Sequence, residues 1–258
     1  MIPSLLAPGE CRVWWATPGD RTVETLSAVL SDPELERAAR FRRDPDRRRF
    51  LTGAWLLRTA AATQLGVRPE DVVVDRSCSD CNRHHGKPYI RTSGRRLHVS
   101  VSHSGDRVAV AMTSVGALGV DVEAVPSTPV DDLARCALTP GELRAMDALP
   151  PMERHEAFAK FWTRKEAALK ATGHGLRVSP DKLEVSRPEE APRLLSWPLE
   201  IPPGNLRFVD LDPGEGYVAV VALIAGAQRV NVVESQVTDW QPTPFLPQPA
   251  RSCVPQAV

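Results

Sequence analysis

The sequence predicts an α+β protein, and three stretches carry that prediction. Residues 154 to 176, RHEAFAKFWTRKEAALKATGHGL, repeat apolar groups at three- and four-residue spacings, as a helix does. Residues 107 to 125, RVAVAMTSVGALGVDVEAV, alternate apolar with small or polar groups, as strands do. From Phe50 to Gly66 the chain is apolar almost throughout, which describes a helix buried on most sides.

Taken in order, Arg12 to Thr17 reads as an opening strand and Arg21 to Leu30 as a helix or turn. Ser31-Asp32-Pro33-Glu34 then starts a helix to about Phe41, with a capping side chain at Ser31 or Asp32 and proline at the first helical position. Seven arginines fall in the thirteen residues from Arg37 to Arg49. A solvated basic helix end and a nucleic-acid footprint both fit such a run. No aromatic residues interleave it usefully, however, and a phosphate-rich small ligand suits it better. Arg49 leads into the long apolar helix from Phe50 to Leu65.

A strand is expected at Val72 to Asp75, followed by Cys78-x-x-Cys81 and His84-His85. Thiolate and imidazole are zinc ligands, but a second CxxC is missing, so no metal is assigned there. Leu97 to Val101 reads as a strand ending in Ser102-His103-Ser104-Gly105-Asp106, and Arg107 to Met112 as the next. A Ser-His-Asp triad is a poor reading of that loop, because no nucleophile elbow surrounds the serine. The 107 to 125 run is expected to form a hairpin turning near Ser114 to Gly116, with Asp121 and Glu123 on one face of its second strand.

Helices should begin at Asp131 or Asp132 and at Thr139, where Thr139 and Glu142 make a capping box. Pro150 and Pro151 open the 154 to 176 helix and Gly173 and Gly175 close it. On it, Glu166 and Lys170 share a face beside large apolar groups. A water-facing pair of this kind would add only about 0.2 to 0.5 kcal/mol. If the helix packs beside the GVDVE strand, Asp121, Glu123 and Glu166 converge, and three carboxylates suit a hard cation such as magnesium. The hairpin Asn205 to Asp210 and Tyr217 to Ala225, a strand at Val230 to Glu234 and a proline-rich irregular tail complete the chain.

GVDVE at 119 to 123 and FWTRKEAALKATGHGL at 161 to 176 together resemble the paired signature of the 4'-phosphopantetheinyl transferases. The resemblance extends more loosely from about residue 35 to 225. It implies transfer of the phosphopantetheine arm of coenzyme A to a serine of an apo acyl or peptidyl carrier protein, with magnesium as cofactor and adenosine 3',5'-bisphosphate released. The length of 258 residues favours the long, surfactin-synthetase-activating form, in which two similar α/β halves make an intramolecular pseudo-dimer with the active site between them. The halves would then be 1–115 and 116–234, followed by the tail 235–258, in a protein that needs no second copy.

The same resemblance assigns residues. Asp121, Glu123 and Glu166 would hold the metal; Glu166, directly or through a water, would accept the serine proton; Lys170 would contact the phosphate, with Lys165 a second candidate. Arg37 and Arg49, or Arg48 if the register slips by one, would reach the coenzyme A phosphates. Ser102 and His103 match the loop that meets the 3'-phosphate. Lys87, in Gly86-Lys87-Pro88, matches a turn that lies on the nucleotide, although a second proline of that element is absent.

Composition excludes other classes. Lys plus Arg equals Asp plus Glu at 32 each, so no global field points to nucleic acid or membrane. The longest apolar run is too short for a bilayer, and the first residues lack the positive region of a signal peptide. Five cysteines, three of them isolated, suit a reducing compartment, and the chain is expected to be cytoplasmic.

Overall fold

The computed structural model describes residues 5–77, 84–92, 94, 96–200 and 202–237. Cys78, Cys81 and the side chains of His84 and His85 lie outside the described residues, as does the tail from 238 on. Four layers stack as helix, sheet, sheet, helix. The first sheet has the order β11-β1-β5-β4 and the second β6-β10-β9. Here β1 is Glu10–Ala16, β4 His98–Ser104, β5 Arg107–Thr113, β6 Ala117–Ala124, β9 Leu206–Leu211, β10 Tyr217–Ile224 and β11 Asn231–Gln236.

Alternation explains the layering. Successive side chains of β1 leave on opposite faces. Trp14 therefore enters the core under the long helix α3 (Asp44–Leu65) with Leu51, Trp55 and Val110, while Trp15 enters the core between the sheets with Ala109, Val120 and Val122. On the far side, α6 (Pro151–Thr172) lays Ala167 and Ala171 on Val220 and Ala222 of β10. Each half is thus one sheet covered by one long helix, and the fold is an α+β protein of two matched halves.

Short elements complete each half. α1 (Val23–Ser27) and α2 (Asp32–Ala39) lead into α3, and β2 (Val74–Ser77) pairs with β3 (His84–Ile90). α4 (Asp131–Ala137) and α5 (Pro140–Asp147) flank α6, and β7 (Glu184–Val185) pairs with β8 (Leu194–Ser196). Both expected capping boxes form, at Ser31 with Glu34 and at Thr139 with Glu142. Gly173 ends α6 at φ 77°, a left-handed conformation that favours glycine.

Four expectations need correction. β5 and β6 do not make a hairpin: β6 pairs with β10 along its length, and the chain crosses from one sheet to the other near Ser114 to Gly116. The apolar face of β6 is buried against β1 and β5 face to face, which alternation alone cannot distinguish from pairing edge to edge. β4 runs on through His103 and Ser104, because its ladder with β5 continues to Ser104 and Arg107. α3 begins at Asp44, so Arg49 lies inside it rather than before it. The 116–234 half is not closed on itself, since β11 returns to pair in parallel with β1 and satisfies an edge that would otherwise be open.

Candidate active site

The two halves meet along β4 and β6, and a cleft of about 390 Å³ opens there. Its lining includes Arg37 of α2, Arg76 of β2, Ser102 and His103 of β4, Asp121 and Glu123 of β6, and Trp162, Glu166 and Lys170 of α6. What brings α6 so close is Gly119. A Cβ there would lie 2.1 Å from the Ala167 carbonyl oxygen and 2.4 Å from the Ala171 nitrogen, so only glycine lets the helix backbone touch the strand. Asp121, two residues on, then faces Lys170.

The charges divide into satisfied and unsatisfied atoms. Lys170 Nζ donates to Asp121 Oδ1 at 2.6 Å and to Ser102 Oγ at 3.0 Å, and Ser102 Oγ donates to the same Asp121 oxygen at 2.7 Å. Glu123 accepts from Ser104 Oγ at 2.8 Å and from Trp162 Nε1 at 3.2 Å. Asp121 Oδ2 and Glu166 Oε1, both buried, find no hydrogen-bond partner among the described residues. An orphaned buried carboxylate oxygen is costly, and such atoms point to something that binds there.

Electrostatics says the same. Burial, and then the Asp121 charge beside it, pushes the Glu123 carboxyl up to about 7. Burial also raises Glu166, and Asp121 adds to the effect. Burial works against the Lys170 ammonium, but the surrounding carboxylates of Asp121, Glu166 and Glu123 outweigh it and hold its pKa above the ordinary value. Three acids against one lysine leave a cluster that a divalent cation would neutralise. All-oxygen donors are the chemistry a hard cation takes, and the two orphaned oxygens offer it acceptors, although among the described residues no three acids, histidines or cysteines are already gathered as a metal cluster.

The cleft's lining also carries basic groups. Arg37 and Arg76 line it together with His103. Burial depresses Arg76 to about 10, and its Nε has no acceptor among the described residues. Burial also lowers the pKa of Arg37 and His103. Half-buried guanidinium groups lining a cavity bind phosphate in a fork geometry, so these residues can take a polyanion.

Not every expected residue reaches the cleft. Lys165 is fully buried on the other flank of α6, paired with Glu142 and donating to the carbonyls of Ala137, Pro180 and Leu183. It stands 100° around the helix from Glu166 and does not line the cleft. Lys87 Nζ donates to the carbonyls of Leu118, Lys170 and Ala171, so it caps the end of α6 instead of lining the cleft. Arg49 donates to the Gly105 carbonyl at 3.1 Å and pairs with Asp46, and thereby pins the β4–β5 turn. Arg48 pairs with Asp44 at the surface. The hydroxyl of Ser102 is taken up by Asp121 and Lys170.

Sequence reasoning missed Arg76, Ser104 and the indole of Trp162. Ser104 had a signal, the alternation Ser100-x-Ser102-x-Ser104 along one strand. Among the described residues no helix is long and apolar enough to cross a membrane, and Cys11 and Cys136 carry free thiols.

Comparison with known sequences agrees with this geometry. The 4'-phosphopantetheinyl transferase superfamily matches residues 117–222, and the N-terminal domain of 4'-phosphopantetheinyl transferases matches residues 13–115. The chain belongs to the 4'-phosphopantetheinyl transferases. Both matched regions in one chain make it a transferase of the long type. The 4'-phosphopantetheinyl transferase HetI of Nostoc sp. is 32% identical over 81% of this chain and 86% of its own. A 4'-phosphopantetheinyl transferase of Bacillus subtilis is 29% identical over 73% of this chain and 80% of its own, and psf-1 of Bacillus pumilus is 27% identical over 83% and 88%. The transferase's two matched regions abut at the β5–β6 crossing, and the cleft draws its lining from both.

Proposed function

We propose that this transferase moves the 4'-phosphopantetheine arm of coenzyme A onto a serine of an apo acyl or peptidyl carrier protein, with magnesium bound, and releases adenosine 3',5'-bisphosphate. The observation that carries the reading is the cleft's mixed lining: carboxylates with buried oxygens that have no partner among the described residues, together with half-buried arginines. A pyrophosphate flanked by a further phosphate fits that lining better than a neutral or purely apolar ligand. Carriers of fatty-acid, polyketide and nonribosomal-peptide synthesis are the substrate class.

Magnesium, held by Asp121, Glu123 and Glu166, would neutralise charge on the pyrophosphate as its P–O bond breaks. The chain's own groups do the rest. Arg37, Arg76 and His103 hold the nucleotide phosphates and fix the arm's phosphorus beside the acids. Lys170, kept charged by Asp121, donates to the transferring phosphoryl oxygens. Glu166, directly or through a water, takes the proton of the carrier serine as the serine oxygen bonds to phosphorus. Because both halves lie in one chain and complete the cleft, a monomer suffices, and a reducing cytoplasm suits the free thiols.

The test is the intact mass of an apo carrier protein after incubation with the enzyme, coenzyme A and magnesium. A gain of one phosphopantetheine arm, lost with a chelator, is the expected result. No gain with carriers of all three pathways would contradict the reading.

A further inference from the structure

Along β4 three serines repeat one pattern across the junction of the halves. Ser100 Oγ accepts the Val120 N–H at 3.0 Å, Ser102 Oγ the Val122 N–H at 3.4 Å, and Ser104 Oγ the Ala124 N–H at 3.1 Å. β4 and β6 are edge strands of different sheets, so these side chains replace a backbone ladder. At two of the three steps the hydroxyl proton is spent on an acid of β6. Ser102 donates to Asp121 and Ser104 to Glu123. The corresponding partner of Ser100 would be residue 119, which is glycine, and there the space is filled by α6.

We propose that Ser104 is a positioning residue for Glu123, acting with Trp162, and that the β4 serine stripe aims the β6 carboxylates at the cation. This rests on the magnesium reading above. Glu123 is gripped at both oxygens, by a strand hydroxyl at 2.8 Å from one half and a helix indole at 3.2 Å from the other. Both donors fix the carboxylate's plane, and Glu123 lines the cleft. Each carboxylate oxygen has two acceptor sites, so gripping does not use up the ligand. Groups that orient a metal-binding carboxylate typically change affinity by about 10- to 100-fold when removed. The turn that carries Ser104 is itself held from both halves, by Arg49 on the Gly105 carbonyl and by Tyr217, whose hydroxyl accepts the Asp106 N–H at 2.9 Å.

The probe is Mn²⁺, with its affinity for the full-length protein read by electron paramagnetic resonance. Ser104→Ala is expected to weaken Mn²⁺ binding by about 10-fold, Trp162→Phe by a similar or smaller factor, and Ser104→Thr, which keeps the hydroxyl, to restore it. Ser100→Ala removes the same backbone bond without touching an acid and should bind Mn²⁺ as the wild type does. Equal Mn²⁺ affinity in Ser104→Ala and wild type overturns the proposal, and so does equal loss in Ser100→Ala and Ser104→Ala, which would mean a loosened junction. If Ser104→Ala does not fold, Trp162→Phe and Ser104→Thr decide: unchanged affinity in the first or lost affinity in the second contradicts it. A wild-type protein that binds no Mn²⁺ refutes the magnesium reading, and this proposal with it.

Discussion

Lys165 and Lys170 sit on the same helix, five residues apart, and each faces a carboxylate from another element. Around Lys165 every polar atom is answered: Glu142 takes its charge, three carbonyls take its protons, and Glu142 in turn accepts from the N–H groups of Thr139 and Val185. Around Lys170 the accounts stay open, since Asp121 Oδ2 and Glu166 Oε1 have no partner among the described residues. A closed buried network fixes the fold, and an open one beside a cavity is where a ligand belongs. The difference separates a charge held wholly within the fold from one that lines a cleft, where residue type and spacing do not.

The sharpest way to break this contrast is to change one acid of the open cluster. Glu166→Gln keeps the shape and should lower single-turnover transfer by about 10³-fold, with a melting temperature no lower than wild type. The closed cluster should respond the other way. Lys165→Met leaves Glu142 buried and unpaired, a loss of about 3 to 5 kcal/mol, seen as a melting point lower by roughly 10 °C. The double change Lys165→Met with Glu142→Leu should recover part of that loss, and both proteins, once folded, should still transfer. If Lys165→Met keeps its stability but loses transfer, the assignment of the two lysines is reversed.

The basic groups allow a smaller effect. Arg76→Ala should raise the KM for coenzyme A by about 10-fold with kcat changed far less, because it acts on binding before the transition state. Steady-state kinetics with varied coenzyme A reads this directly.

The smallest effect is in pH. The Glu123 carboxyl titrates at about 7 in the fold against 4.5 ordinarily, so the folded chain holds its proton more tightly than the unfolded one. Its stabilising contribution is complete below 4.5 and is lost as pH rises through 7. Metal-free wild type should therefore lose a few degrees of melting temperature relative to Glu123→Gln between pH 5 and pH 8. Adding magnesium at pH 8 should remove most of the gap.

Much of the fold was legible because its signals are local. The capping boxes at Ser31 and Thr139, the proline start and glycine end of α6, and the strand alternation all act within a few residues. Asp121, Glu123, Glu166 and Lys170 were legible for a second reason, since GVDVE and WTRKEAALK place them on faces that local geometry fixes. What local signals could not carry was the choice between flanks of a helix buried on both sides, and so Lys165 was placed with Lys170. The hairpin expectation failed for a similar reason: β6 alternates as it must, but alternation does not say which sheet it joins. Arg76 comes to the cleft beside Glu34, Arg37 and Arg58, and Ser104 through contacts between the halves, and no window of sequence contains either arrangement.

A crystal structure of the enzyme with coenzyme A and magnesium would test the central claim most directly. The account predicts a cation held by Asp121 Oδ2 and Glu166 Oε1 together with Glu123, beside the pyrophosphate, with Lys165 still on Glu142. A pyrophosphate bound away from those two oxygens, or a Lys165 swung onto it, would contradict the account.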